Sequence, residues 1–98
     1  MINQNNTTSP LFELGQTIAT PGALDALEMN SQTPAEFLSR HARGDWGSVC
    51  EEDAELNNQA LIDGSRLLSS YSLKDGTKLW IITEADRSSS TLLLPEEY

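Results

Sequence analysis

The segment Thr83–Ser88 carries the side chains best suited to chemistry in this chain, namely Glu84, Asp86 and Arg87. They follow a stretch that is apolar on both faces, as in a central β-strand, and loops on such a rigid base often carry function. Two carboxylates beside a guanidinium could recognise a partner, and the carboxylates could hold Mg²⁺ through water. The alternative is structural, with Asp86 and Arg87 organising a hairpin turn and Glu84 pairing with a nearby arginine. A lone Glu-x-Asp spacing leaves both interpretations open.

The tetrapeptide Gly44–Gly47 is a tight turn that displays Trp46 next to Asp45. Tryptophan is enriched as an anchor in protein interfaces. It also serves as a lid over a small core, with its ring N–H hydrogen-bonded. The candidate partner-binding residues are therefore Asp45, Trp46, Glu84, Asp86 and Arg87. We predict no catalytic residue, no metal ligand and no cofactor.

The single histidine and the single cysteine are both expected to be packing residues. His41 lies on the apolar side of a predicted helix, one turn before Asp45, which could orient the imidazole for acid–base work. No nucleophile is evident beside it, so we expect packing. Cys50 lies near a helix N-terminus but is followed at once by three acids, so we expect a packed, unreactive thiol. One histidine and one cysteine cannot form a structural zinc site or an internal disulfide.

The composition describes one small acidic domain. The 98 residues include 15 Asp and Glu against 6 Lys and Arg, for a formal net charge of −9. This charge argues against direct binding to nucleic acid phosphates or to anionic membranes. No apolar run is long enough to span a membrane, and the first nine residues lack the basic and apolar regions of a secretory signal. The stretch 45–63 holds six of the acids and no Lys or Arg; these complement a helix dipole or imitate DNA phosphates.

Residues 1–9 are predicted to be a disordered arm and residues 10–98 a single α+β domain. A strand is expected over Leu11–Ala19, with Gly15 as a possible bulge. Two helices should start at Thr20-Pro21 and Thr33-Pro34, where a capping residue precedes a proline, with Leu24 on the apolar side of the first. Gly44 should follow the end of the second helix.

A third helix should start near Val49 through a capping box of Ser48 and Glu51. Leu56, Ala60 and Leu61 are expected on its inward side. Gly64 should end the helix.

The rest of the sequence, from Arg66 onward, predicts strands. Asp75-Gly76 indicates a two-residue hairpin loop that places Tyr71 opposite Trp80, and a last strand is expected over Thr91–Leu94. The spacing of Gly64, Leu67, Leu68 and Tyr71 also fits a continuation of the third helix, but the hairpin needs a strand there. The predicted fold is thus an N-terminal strand, three short helices and a three-stranded antiparallel meander packed under the helices.

Several stretches together resemble a known family. They are Leu14–Gln16 with Ala19–Leu24, Gly44–Gly47, Lys78–Ser88 and Leu94–Tyr98. The family consists of small, largely uncharacterised proteins of plasmids and other mobile elements, sometimes labelled plasmid-related or as the M subunit of a type I restriction-modification system. The chain lacks the Gly-rich turn and the Asn/Asp-Pro-Pro-aromatic motif of a DNA adenine methyltransferase, so that label implies no methyl transfer here.

These observations favour a non-enzymatic, cytoplasmic protein-interaction module encoded by a mobile element. Its partner would be another protein, with a homodimer as one possibility. The alternative is an acidic inhibitor of host defence, of the anti-restriction or anti-CRISPR type, that competes with DNA. A small metal-dependent hydrolase or nuclease is the third hypothesis.

Overall fold

A computed structural model describes residues 10–98, and the predicted disordered arm lies outside the described residues. The α+β class is confirmed. In chain order the elements are β1 (Gln16–Ala19), α1 (Pro21–Met29), α2 (Pro34–Ala42), α3 (Glu51–Asp63), β2 (Leu67–Ser72), β3 (Lys78–Thr83), β4 (Ser89–Leu93) and a 3₁₀ turn (Pro95–Glu97).

The strands form one mixed sheet in the order β1-β4-β3-β2. β2, β3 and β4 make the predicted antiparallel meander, but β1 joins it as a fourth strand parallel to β4, with Ile18 opposite Thr91. The predicted three-stranded meander is therefore part of a larger, mixed sheet that also includes the N-terminal strand. All three helices lie between β1 and the meander in the chain, and such a long connection allows parallel pairing.

β1 is shorter than predicted because the chain turns sharply before it. Gly15 has a φ of +67°, and a Cβ there would lie 2.4 Å from the carbonyl oxygen of Arg87. Only glycine fits this close approach. Upstream, the backbone N–H of Leu11 donates to the carbonyl of Ala42 rather than to a strand, at 2.8 Å.

The hairpin between β2 and β3 has a three-residue loop, 74–76, rather than the predicted two-residue one. The N–H of Leu73 donates to the carbonyl of Thr77 at 2.8 Å, and Gly76 takes the left-handed conformation that such a loop requires. The register shifts by one residue, so Tyr71 lies opposite Leu79 and Ser70 opposite Trp80. The predicted pairing of Tyr71 with Trp80 was wrong, and the two rings point to opposite faces of the sheet.

The first two helix starts are confirmed. The hydroxyl of Thr20 accepts from the N–H of Ala23 at 3.1 Å, and that of Thr33 from the N–H of Glu36 at 3.4 Å. The Ser48 capping box is wrong: α3 starts at Glu51, two residues later than predicted, and its N-cap Cys50 makes no side-chain bond.

The end of α3 is confirmed at Gly64, which is left-handed. β2 follows at once, so the helix does not continue toward Tyr71.

The core lies between the helices and one face of the sheet, as expected. Its larger cluster is built of apolar side chains from α1, α2, three strands and the residue after β2: Ala23, Leu27, Phe37, Tyr71, Leu73, Leu79, Ile81 and Leu92. A smaller cluster joins Trp46, Ala60 and Leu67. Leu24 and Leu56, which were predicted to face inward, are exposed.

The outer edge of β2 is covered in two places, by a side chain of α3 and by the turn at Gly47. The side-chain amide of Asn57 on α3 donates to the carbonyl of Leu68 at 2.7 Å and accepts from its N–H at 3.1 Å. The turn at Gly47 then bonds to Ser70, whose N–H donates to the carbonyl of Trp46 at 3.1 Å and whose carbonyl accepts from the N–H of Ser48 at 2.7 Å. Closing an edge in this way removes a template for unwanted strand pairing.

Candidate functional site

Trp46 is a lid over the smaller core cluster. Its side chain is 7% exposed, and its ring N–H donates to Oδ1 of Asn58 at 3.2 Å. The ring of Phe12 stacks on it with centroids 6.3 Å apart. This geometry favours the packing interpretation of Trp46 and leaves little of its ring for a partner.

Asp45 is exposed and organises its own turn. Its carboxylate accepts from Nε of Arg40 at 2.7 Å and from the N–H of Gly47 at 3.2 Å. The bond from Arg40, more than any other contact, holds the pKa of this carboxyl below its usual value. The carbonyl of Asp45 accepts from the hydroxyl of Tyr71 at 2.7 Å. Asp45 thereby fixes the approach of this turn to the sheet.

Arg87 connects the turn before β4 to the end of α3. Its guanidinium donates to the carbonyls of Ser65 at 2.6 Å and Ala60 at 3.0 Å, and also to those of Glu84 and Ala85 in its own turn. A cation at the carbonyl end of a helix is favourable because that end carries partial negative charge. The donors of Arg87 are thus directed at backbone rather than outward.

Asp86 and Glu84 lie in the same turn but have different roles. The carboxylate of Asp86 accepts from the N–H of Ser88 at 3.0 Å, and hydrogen bonds from Ser88 lower its pKa. Asp86 therefore stabilises the turn, whereas the carboxylate of Glu84 is exposed. Within residues 10–98, no group of three or more His, Cys, Asp or Glu side chains is placed to hold a metal ion.

His41 does not contact Asp45; it lies in a buried chain of hydroxyl groups. Its Nδ1 is 2.5 Å from Oγ of Ser69 and its Nε2 is 2.8 Å from Oγ1 of Thr83. Thr83 in turn lies 2.6 Å from Oγ of Ser90, which donates to the carbonyl of Leu14 at 2.8 Å. All four side chains are fully buried. This group was missed in the sequence, where its signal is hydroxyl residues at inward positions of β2, β3 and β4.

The direction of these hydrogen bonds follows from the last of them. The proton of Ser90 is used on the carbonyl of Leu14, so Thr83 donates to Ser90 and must accept from Nε2–H of His41. The lowered pKa of His41 leaves the imidazole neutral at pH 7, so Nδ1 carries no proton and accepts from the hydroxyl of Ser69. Burial, assisted by the charge of Arg87, lowers the pKa of His41 to about 4.

A serine beside a histidine is also the arrangement of a nucleophile and its base. Here neither group is accessible to a substrate, because Ser69 and His41 are both 0% exposed. The arrangement satisfies every polar atom in the buried chain, so it supports a role in positioning α2 on the sheet.

The outward side of α3 is the clearest exposed surface in the described part of the chain. Leu56 is 67% exposed and Ile62 is 81% exposed. They lie on one side of the helix with other exposed residues, and together we name this set the α3 face: Glu52, Glu55, Leu56, Gln59 and Ile62. The first four line a shallow open depression. A surface of this kind combines apolar contact with negative charge.

Cys50 was predicted to be packed, but its thiol is exposed. The reason is the later start of α3, which leaves Cys50 at the N-cap rather than inside the first turn.

The chain matched no family model, no curated protein and no solved structure in comparisons with known proteins. Among residues 10–98, no helix has both the length and the apolar character needed to cross a bilayer.

Proposed function

We propose that the protein is a non-enzymatic, cytoplasmic protein-interaction module of a mobile element, and that its α3 face binds the partner. The observation that supports this most is the outward exposure of Leu56 and Ile62 on a helix whose first turn is acidic. Burying two such side chains in an interface would contribute about 3–6 kcal/mol before the costs of association.

The charge of α3 points to the chemistry of the partner. Glu51, Glu52, Asp53 and Glu55 all lie in the first half of the helix, and α3 contains no Lys or Arg. The positive end of the helix dipole offsets part of this charge. The remainder favours a partner with an apolar centre and a basic rim, such as an amphipathic helix that presents leucine between lysines.

The state of the other candidates also supports a binding role over catalysis. Arg87 is directed at backbone carbonyls, Trp46 is nearly buried, and the Ser69–His41 pair is out of reach of a substrate. These groups contribute to the rigidity of the scaffold that would present α3.

A second candidate is the acidic inhibitor of host defence. Four carboxylates within five residues, on a chain with a net charge of −9, support competition with DNA for a basic site. The two candidates differ in the apolar residues, because imitation of phosphates needs the carboxylates and not Leu56 or Ile62.

Binding to a defined probe tests the proposal. The probe is a synthetic helical peptide with leucines on one side and lysines flanking them, and a scrambled peptide of equal charge without an apolar side is its control. We expect the probe to bind at least tenfold more tightly than the scrambled peptide, since about 1.4 kcal/mol of apolar contact accounts for that factor. Amide NMR shifts should change along α3.

Matched variants test whether the probe binds at the α3 face. The double variant Leu56→Ser/Ile62→Ser should lose that tenfold preference, whereas Met29→Ser, which removes an 82% exposed side chain from α1, should not. Equal binding of both peptides, or shifts confined to other elements, would contradict the α3 face as a docking surface. Equal binding that is lost on reversing Glu51, Glu52 and Glu55 to lysine would favour the second candidate, as would protection of unmodified plasmid DNA in a restricting host.

A further inference from the structure

Within residues 10–98 the two edges of the sheet differ, because nothing in that part of the chain covers the edge at β1. Gln16 and Thr20 donate their N–H groups to the carbonyls of Ser88 and Leu92, at 2.9 and 3.0 Å. Backbone N–H and C=O groups point to alternate sides along a strand, so those of Ile18 also face β4. The N–H and C=O groups of Thr17 and Ala19 therefore point away from the sheet. In the described residues, no loop or side chain bonds to these outward groups.

The strand at this edge and the residues next to it in sequence carry no charged side chain. The stretch 14–24 contains no Asp, Glu, Lys or Arg, in a chain with a net charge of −9. The carboxylate of Glu97, which reaches the end of β1, is engaged by the hydroxyl of Thr20 at 2.5 Å and the N–H of Leu94 at 2.8 Å. Open edges in natural proteins are normally protected by charge, proline or a covering segment. The four residues of β1 include no charge and no proline, and no described segment covers them, whereas the β2 edge is covered.

We propose that this edge binds a second copy of the chain, with the two β1 strands antiparallel about a two-fold axis at Ile18. Thr17 then lies opposite Ala19 of the second copy, and the pair exchanges both N–H···O=C hydrogen bonds; the symmetric pair does the same. The two four-stranded sheets would join into one continuous sheet.

The side chains fit this arrangement. Ile18 is 42% exposed and would meet Ile18 of the second copy at the axis, in the closer, non-hydrogen-bonded type of pair. Two copies repel each other through most of their surface, so an uncharged contact is the one they can share. A second copy is favoured over a basic partner here, because β1 has no acidic side chain and the carboxylate at its end, that of Glu97, is already hydrogen-bonded to Thr20 and Leu94.

A four-residue strand buries little surface, so the dimer would be weak and concentration-dependent. Sedimentation of the full chain from roughly 10 µM to 1 mM should show its mean mass rising from 10.8 kDa toward twice that value. Over the same range, amide exchange of Thr17 and Ala19 should slow by at least threefold.

Two variants and one control test the geometry. Thr17→Pro removes an outward N–H without breaking a bond to β4, and Ile18→Lys places like charges together at the axis. Both should stay at the monomer mass across the range. Met29→Lys makes the same change of charge at an exposed residue of α1 and should dimerise like the parent chain. Thermal unfolding of each variant verifies its fold, and Ile18→Lys alone suffices if Thr17→Pro does not fold.

A parent chain that remains at 10.8 kDa at the highest concentration would overturn the proposal. So would a dimer that persists in Ile18→Lys or is lost in Met29→Lys. The result does not depend on the peptide experiments, which use the opposite edge of the molecule.

Discussion

Nε2 of His41 and Oγ1 of Thr83 are 2.8 Å apart, and neither side chain is exposed. This contact joins α2 to the middle of the sheet. Its direction requires a proton on Nε2, because Thr83 uses its own proton on Ser90, and burial keeps the ring neutral at pH 7. Protonation of Nδ1 would turn an acceptor into a donor facing Ser69 and place a charge in the core.

The stability of the fold should therefore fall on mild acidification. The pKa of His41 is lowered to about 4 in the folded chain, against 6.5 when unfolded. Between these values the unfolded chain binds the proton and the folded chain does not, so stability is complete above pH 6.5 and is lost as the pH falls toward 4. We expect a loss of about 2 kcal/mol between pH 7 and pH 4.5 in urea unfolding.

His41→Gln provides the control for this effect, since an amide can bond to both Ser69 and Thr83 without titrating. Its stability should be nearly flat between pH 7 and pH 4.5, because the lowered pKa values of Asp45 and Asp86 act mainly below that range. A parent chain as flat as His41→Gln would contradict a buried neutral imidazole.

Arg87→Gln should raise the pKa of His41. Burial is the larger cause of the lowered value and remains in the variant, while the charge of Arg87 is removed. The pKa should therefore move above 4 but stay below 6.5. NMR titration measures it without ambiguity because His41 is the only histidine. No change in the pKa would mean that Arg87 is screened from the ring.

Asn57→Ala should destabilise the fold by about 1–3 kcal/mol, because the N–H and C=O of Leu68 lose their partner at the β2 edge. Gln59→Ala, on the exposed side of the same helix, should change stability by less than about 0.5 kcal/mol. Urea unfolding compares the two. Light scattering should also show faster aggregation of Asn57→Ala, and equal behaviour of the two variants would argue against a closing role for Asn57.

Gly47→Ala should be far more damaging than Gly64→Ala. Both glycines are left-handed, with φ of +76° and +79°, so the conformational cost is shared at about 1–2 kcal/mol. A Cβ at residue 47 would meet the carbonyl oxygen of Ser70 at 2.0 Å, whereas one at residue 64 meets nothing within 4 Å. The melting temperature of Gly47→Ala should be the lower of the two by well over 5 °C, and similar values would show that the turn can move away from β2.

Local signals in the sequence predicted the parts of the fold that depend on neighbouring residues. The Thr-Pro starts of α1 and α2 and the glycine after α3 are confirmed because each capping bond spans only a few residues. The meander followed from the turn at Asp75-Gly76. The register of the hairpin could not be predicted, because Asp75-Gly76 fits a loop of two residues or of three. A shift of one residue changes which side chains lie opposite each other and on which face of the sheet.

Long-range relationships could not be predicted. Nothing in Gln16–Ala19 states that its neighbour is β4 or that the pairing is parallel. Leu56 was expected inside because it is apolar, but the edge of β2 needs an amide, and Asn57 takes the inward position. The contacts of the candidate residues could not be predicted for the same reason, since Trp46 and Arg87 find their partners on elements distant in sequence.

The covered edge at β2 limits how far any growth of this sheet can proceed. If β1 accepts one neighbour as proposed, the far edge of each chain offers little to a third, because Asn57 and the Gly47 turn already occupy the backbone groups of Leu68 and Ser70 there. Among the described residues, assembly by strand addition would therefore stop at a pair rather than continue into a filament.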